Sequence, residues 1–111
     1  MKIDVHQMGS VTVVSPSGAI AQDDVDDFAR VLEERRCSTN GRLLIDFGDV
    51  SFLDSRAVEA IWDFADQQHE SGHIAKLAAV QELCREILEL TSVSEQLDIF
   101  DSCESAVRSF V

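Results

Sequence analysis

The sequence predicts an α/β domain, with a mixed sheet that opens on an antiparallel hairpin and helices packed mainly on one side. Three observations carry this expectation. Apolar and polar residues alternate from Lys2 to Gln7, and strand-like composition resumes at Val11 after Gly9-Ser10. From Val25 onward, segments of helical period take turns with short apolar runs, which implies right-handed crossovers and a largely parallel sheet behind the hairpin. With 111 residues and 45% hydrophobic content, the chain fits a single domain over residues 1–111 with one real core.

In the first strand Ile3, Val5 and Gln7 alternate with Lys2, Asp4 and His6. Val11-Thr12-Val13-Val14 forms the second, and Pro16 and Gly18 are expected to end it. Asp23 or Asp24 then caps a helix whose apolar positions are Val25, Phe28, Ala29 and Leu32. Thr39-Asn40-Gly41 supplies a turn before the branched run Leu43 to Phe47, which reads as a buried strand. Gly48-Asp49 breaks that run, and the stretch Asp49 to Asp54 is expected to be a loop.

A helix starts at Ser55. It is mostly apolar, with Trp62 expected in the core, while Glu59, Asp63, Asp66 and Glu70 form one acidic stripe facing out. Gly72 is placed to cap its end, and Ile74 to Val80 reads as a strand whose only charge is Lys76. Leu83, Cys84, Ile87, Leu88 and Leu90 suit a further helix, and Leu97 to Phe100 a last short strand. Asp101 and Glu104 form the expected capping pair of a final amphipathic helix carrying Cys103, Ala106, Val107 and Phe110. The expected order is β-β-α-β-α-β-α-β-α.

Composition excludes several function classes. A formal net charge of −12 disfavours nucleic acid and anionic membranes, and no stretch approaches the length of a membrane span. Cys37, Cys84 and Cys103 are odd in number and widely spaced, which suggests neither a disulfide framework nor a zinc site. Reduced thiols and an N-terminus without an export pattern point to the cytoplasm. His6, His69 and His73 have no metal-ligand spacing and read as surface residues. The acidic pairs Asp23-Asp24 and Asp26-Asp27 fit helix-start electrostatics. Asp46 ends a strand as a receiver-domain aspartate would, yet no earlier strand end supplies the acidic pair that a divalent metal needs. There is no G-x-S-x-G elbow and no Gly-rich phosphate loop, so no catalytic residue, metal or cofactor is expected.

The Asp54-Ser55 pair is the candidate site. A helix start leaves backbone N–H groups without partners and carries partial positive charge, so a hydroxyl there sits where an added phosphate is tolerated. Asp54 is the natural cap.

The hairpin, Ser17-Gly18-Ala19-Ile20, Leu44-Ile45-Asp46-Phe47, the specific segment Val50-Ser51-Phe52-Leu53-Asp54-Ser55, the Gly72 turn, and Leu88-Glu89-Leu90-Thr91 leading to Leu97-Asp98-Ile99-Phe100 together carry a resemblance. On these segments the chain resembles the STAS domain family, the anti-sigma factor antagonists and their relatives. It implies a non-catalytic bacterial interaction domain in transcription regulation. In the antagonist branch, the hydroxyl residue after the Asp is phosphorylated by a partner that is both serine kinase and anti-sigma factor, and removing the phosphate restores binding. Ser55 is the matching position, with a phosphatase implied as a second partner. The expected contact surface comprises Asp23, Asp49, Ser51, Asp54, Ser55, Arg56 and Glu59. This chain departs from that branch after Ser55, where a second small hydroxyl residue and a Gly are usual and Arg56 and Ala57 stand instead. Arg56 is placed either to pair with a phosphate or to change how a kinase reads the site. The departure raises an alternative, a constitutive STAS subunit of a scaffold complex or a transporter in which Ser55 is only structural.

Overall fold

The computed structural model describes residues 1–110. Its strands are β1 (Lys2–Met8), β2 (Val11–Ile20), β3 (Leu43–Asp46), β4 (Asp49–Leu53), β5 (Ala75–Ala78) and β6 (Leu97–Phe100). The helices are α1 (Asp24–Thr39), α2 (Ser55–Glu70), α3 (Glu82–Leu90) and α4 (Cys103–Arg108), with a 3₁₀ turn at Val93–Gln96. The sheet runs β1-β2-β3-β5-β6, antiparallel only between β1 and β2.

The expected mixed sheet and hairpin are present, but β2 does not stop at Pro16. Its first half pairs with β3 through Thr12–Val14, and its second half with β4 through Ser17–Ile20. Pro16 lies where β2 passes from one partner to the other, so its missing N–H falls in a gap of the ladder rather than in its middle. The stretch Asp49 to Leu53, expected as loop, is therefore a strand. Opposite it, Val50 faces Gly18 and Phe52 faces Ala19, which leaves Ser51 as the extra residue of a bulge. The bulge resets the alternation. Val50 and Leu53, three apart, both point inward, while Ser51 and Phe52 are exposed.

The period-2 rule then divides the core between the two sheet faces. Val14, Leu43 and Ile45 meet α1, α2 and α3, where Phe28 and Phe47 pack with ring centroids 6.5 Å apart. Val13 and Leu44, their neighbours in sequence, point to the opposite face, which α4 covers with Ala106 and Val107; Phe110, expected on that helix, lies beyond its end and packs on the same face. Three helices on one side and one on the other match the expected arrangement. Lys76 is half-buried on the α4 side, its Nζ lying 4.2 Å from the Phe110 ring centroid and donating to the Ser109 hydroxyl at 2.8 Å.

Several helix details correct the sequence reading. Ser102, not Asp101, caps α4, its hydroxyl accepting from Ser105 N. Trp62 is 41% exposed, because the buried stripe of α2 runs through Ala57, Ile61, Phe64, Ala65 and Gln68. Ala29 and Leu90 are exposed as well. Gly72 follows the end of α2 at φ +81, and the next N–H, of His73, returns to Gln68 O at 2.8 Å. His6 and His69 are exposed, but His73 is half-buried, its ring standing where a Cβ on Gly41 would lie.

Candidate functional site

The strand β4 delivers Asp54 in an extended conformation, at φ −86 and ψ −179, and α2 begins at the next residue. This geometry turns the carboxylate back over the first turn, where Oδ1 accepts from Ala57 N at 2.8 Å. Oδ2 accepts from Gln22 N, also at 2.8 Å. Asp54 N in turn donates to Ile20 O at 3.2 Å. One residue thus ties the end of β2, the turn into α1 and the start of α2. The two backbone bonds, Gln22 first and Ala57 second, hold the Asp54 carboxyl below its ordinary value of 3.8. At pH 7 it is a fixed negative charge.

Ser55 is the first residue of α2 and is exposed. Arg56 does not lean on it. Its guanidinium crosses to α1, where Nη1 donates to Gln22 O at 2.9 Å and Nη2 to Asp26 Oδ1 at 2.9 Å. Gln22, whose carbonyl also accepts from Val25 N at 3.1 Å, makes these contacts from a left-handed conformation, φ 53, which is uncommon for a residue with a β-carbon. Asp23 follows it as the N-cap of α1 and makes no capping bond with its side chain.

The expected contact residues fall into two groups. Asp23, Asp54, Ser55 and Arg56 converge where α1 and α2 begin, Ser51 is exposed on the approaching strand, and Glu59 is exposed one turn into α2. Asp49 stands apart at the far end of β4, opposite Ser17, about 13 Å down the strand from Leu53. Sequence reasoning missed Gln22 and Asp26, for which there was no local signal. It also missed the aromatic neighbours Phe52, 42% exposed, and Trp62. Trp62 follows Ser55 by seven residues and so shares its face of the helix; that spacing was legible.

Asp46 shapes a turn. Its Oδ1 accepts from Gly48 N at 2.9 Å, and Oδ2 accepts from the Ser15 hydroxyl at 3.4 Å. Burial, and then the nearby Asp46 carboxylate, push the Cys103 thiol up to about 11, so this thiol is protonated at neutral pH. Among the described residues no group of three or more His, Cys, Asp or Glu is placed to hold a metal ion, and no helix is long and apolar enough to cross a membrane.

The STAS domain family model matches residues 2–106. An anti-sigma factor antagonist from Mycobacterium paratuberculosis superposes with a TM-score of 0.83 at 20% identity, over 97% of this chain and 92% of that one. The anti-sigma factor antagonist SpoIIAA in its unphosphorylated form gives 0.74 at 12% identity, over 97% and 96%. A sulfate transporter family protein from Wolinella succinogenes also gives 0.74, at 18% identity over 92% and 85%. No curated protein matches the sequence. At these identities the structural likeness is one of fold.

Proposed function

The chain belongs to the STAS domain family, and on that premise we propose that it is a regulatory binding module of the anti-sigma factor antagonist type, switched by phosphorylation of Ser55. The writer of the switch is a partner serine kinase that is itself the anti-sigma factor, and a phosphatase resets it. The observation that carries this reading is the placement of Ser55: exposed, first in α2, and next to a carboxylate fixed by two backbone N–H groups. A phosphate there adds roughly 1.5 to 2 negative charges beside Asp54. The only cation adjacent in sequence, Arg56, is engaged with Asp26 and Gln22, so the new charge is presented to the partner rather than neutralised in place. Repulsion and bulk then dissociate a complex formed through Ser51, Asp54, Ser55 and Glu59. No catalytic step is assigned to the chain.

A second reading is favoured by the same arginine and by the likeness to a transporter family protein. Arg56 also suits a purely structural joint between α1 and α2. The domain is then a constitutive subunit of a scaffold or transporter, with Ser55 unmodified.

Recovery of partners from a lysate of the native organism separates the two. Under the switch, wild type and Ser55→Ala retain a kinase-like regulator and Ser55→Asp loses it. If Ser55→Asp and Ser55→Ala both bind as wild type does, the switch is refuted, and transporter or scaffold subunits among the recovered proteins support the constitutive role.

A further inference from the structure

Helices α1 and α2 both descend from the same end of the sheet, following the paired strand ends Ile20 and Leu53, and between them lies an open cleft of about 420 Å³. On the α2 wall its lining residues recur at helical spacing from Arg56 to Gln67, about 16 Å along the axis. On the α1 wall they recur from Val25 to Glu33. Two facing ridges of this length form an elongated, open channel along which a third rod can lie.

The floor is apolar, made by Val25, Leu32 and Phe64, with Ala29 and Ala60 leaving the channel open above them. The rim is acidic. Glu33 pairs with Arg36 at 2.8 Å and Arg56 with Asp26 at 2.9 Å, but Glu59 and Asp63 have no cation within ion-pair distance among the described residues. The acidic stripe of α2 is thus divided: Glu59 and Asp63 line the cleft, while Asp66 and Glu70 do not. An apolar floor flanked by uncompensated carboxylates is complementary to a helix with an apolar face and basic flanks.

We infer that the α1–α2 cleft is a docking groove for a basic amphipathic helix of a protein partner. The inference does not rest on phosphorylation of Ser55; the groove begins at Val25 and Arg56, shares Glu59 with the contact surface proposed above, and runs on along both helices.

The test uses the whole domain, isotopically labelled, and a synthetic amphipathic peptide of about four turns with leucines on one face and Lys and Arg on its flanks. Saturable backbone shift changes are expected at Val25, Ala29, Ala60 and Phe64. The double variant Glu59→Lys/Asp63→Lys should weaken binding by about tenfold or more, whereas Glu86→Lys/Glu89→Lys on exposed α3 positions, an equal change of charge, should weaken it by less than about twofold. Ala29→Phe fills the channel from an exposed position without changing charge, and should weaken binding to the same degree as the cleft double variant. The inference is overturned if the two charge reversals act equally, if Ala29→Phe binds like wild type, if shifts centre on Phe52 and Trp62, or if the wild type shows no saturable shifts. Thermal melts of each variant separate loss of binding from loss of fold.

Discussion

Helices α1 and α2 run side by side and begin at neighbouring points, yet their first turns are held in different ways. The α2 start contains its own support: Asp54 caps it from three residues before Ala57, in the extended conformation that capping requires. The α1 start has a cap residue without a capping bond. Asp23 is in helical conformation, with its side chain unused; the turn keeps its own backbone bonds, Asp24 N to Ala21 O and Val25 N to Gln22 O at 3.1 Å each, and its side-chain support comes from the α2 start, through Asp54 to Gln22 N and Arg56 to Gln22 O and Asp26. One helix start has a local side-chain cap, and the other borrows its side-chain support from a neighbour. The difference shows why the candidate site is a joint rather than a loop: a change at Asp54 or Arg56 is felt in both helices, and the exposed Ser55 sits between those two residues.

Removing the shared carboxylate should collapse this asymmetry. Asp54→Ala is expected to give the largest loss, about 5–10 °C in Tm, with amide exchange accelerated in the first turns of both helices. Asp54→Asn sharpens the comparison. Its side chain offers one acceptor oxygen instead of two, so one of the Ala57 and Gln22 N–H groups stays protected and the other opens. Equal protection of both N–H groups in Asp54→Asn would show that they do not depend on the two oxygens.

Acid should act through the same residue more gradually. Because the folded carboxyl lies below its ordinary value of 3.8, its contribution to stability is full above that value and is lost as pH falls through the folded one. A melt series from pH 6 downward should therefore show stability that declines below about pH 4, and Asp54→Asn should flatten that part of the curve. An unchanged slope would remove Asp54 from the acid limb.

The smallest effects test the α1 side alone. Arg56 is half exposed and Asp26 more so, so Arg56→Ala should cost only about 0.5–1 kcal/mol. Its exchange signature should be confined to residues 22–26 and leave the first turn of α2 intact. Asp23→Ala should change stability by less than about 0.5 kcal/mol, since no capping bond is lost. A larger loss at Asp23 than at Arg56 would reverse the assignment of local and borrowed starts.

Most of the element order was legible because each element announces itself over a few residues. The hairpin at Gly9-Ser10, the crossover helices and the Ser55 helix start all rest on local period and capping. Residues 49–53 were misread for a specific reason: with Ser51 bulged, Val50 and Leu53 are buried at a spacing of three, and a strand without alternation looks like a loop. Pro16 misled for a related reason, since its cost depends on where the neighbouring strands begin and end. Trp62 lies on an arc that helical period alone permits either inside or outside, and Gln68 took a buried place that its polarity argued against.

By itself, then, the sequence determined the alternation of strands and helices, the α/β class, and the placement of Asp54 and Ser55 at a helix start. These are carried by short-range patterns, period two for a strand and three to four for a helix and its cap, which a local stretch of sequence displays without naming a distant partner. Tertiary structure alone decided that Gln22 closes on Asp54 across 32 positions, that Arg56 turns to Asp26 across 30, and that β4 exists as a strand. A hydrogen bond between distant segments has no local signature, because its partner is chosen by the packing of the whole sheet against its helices.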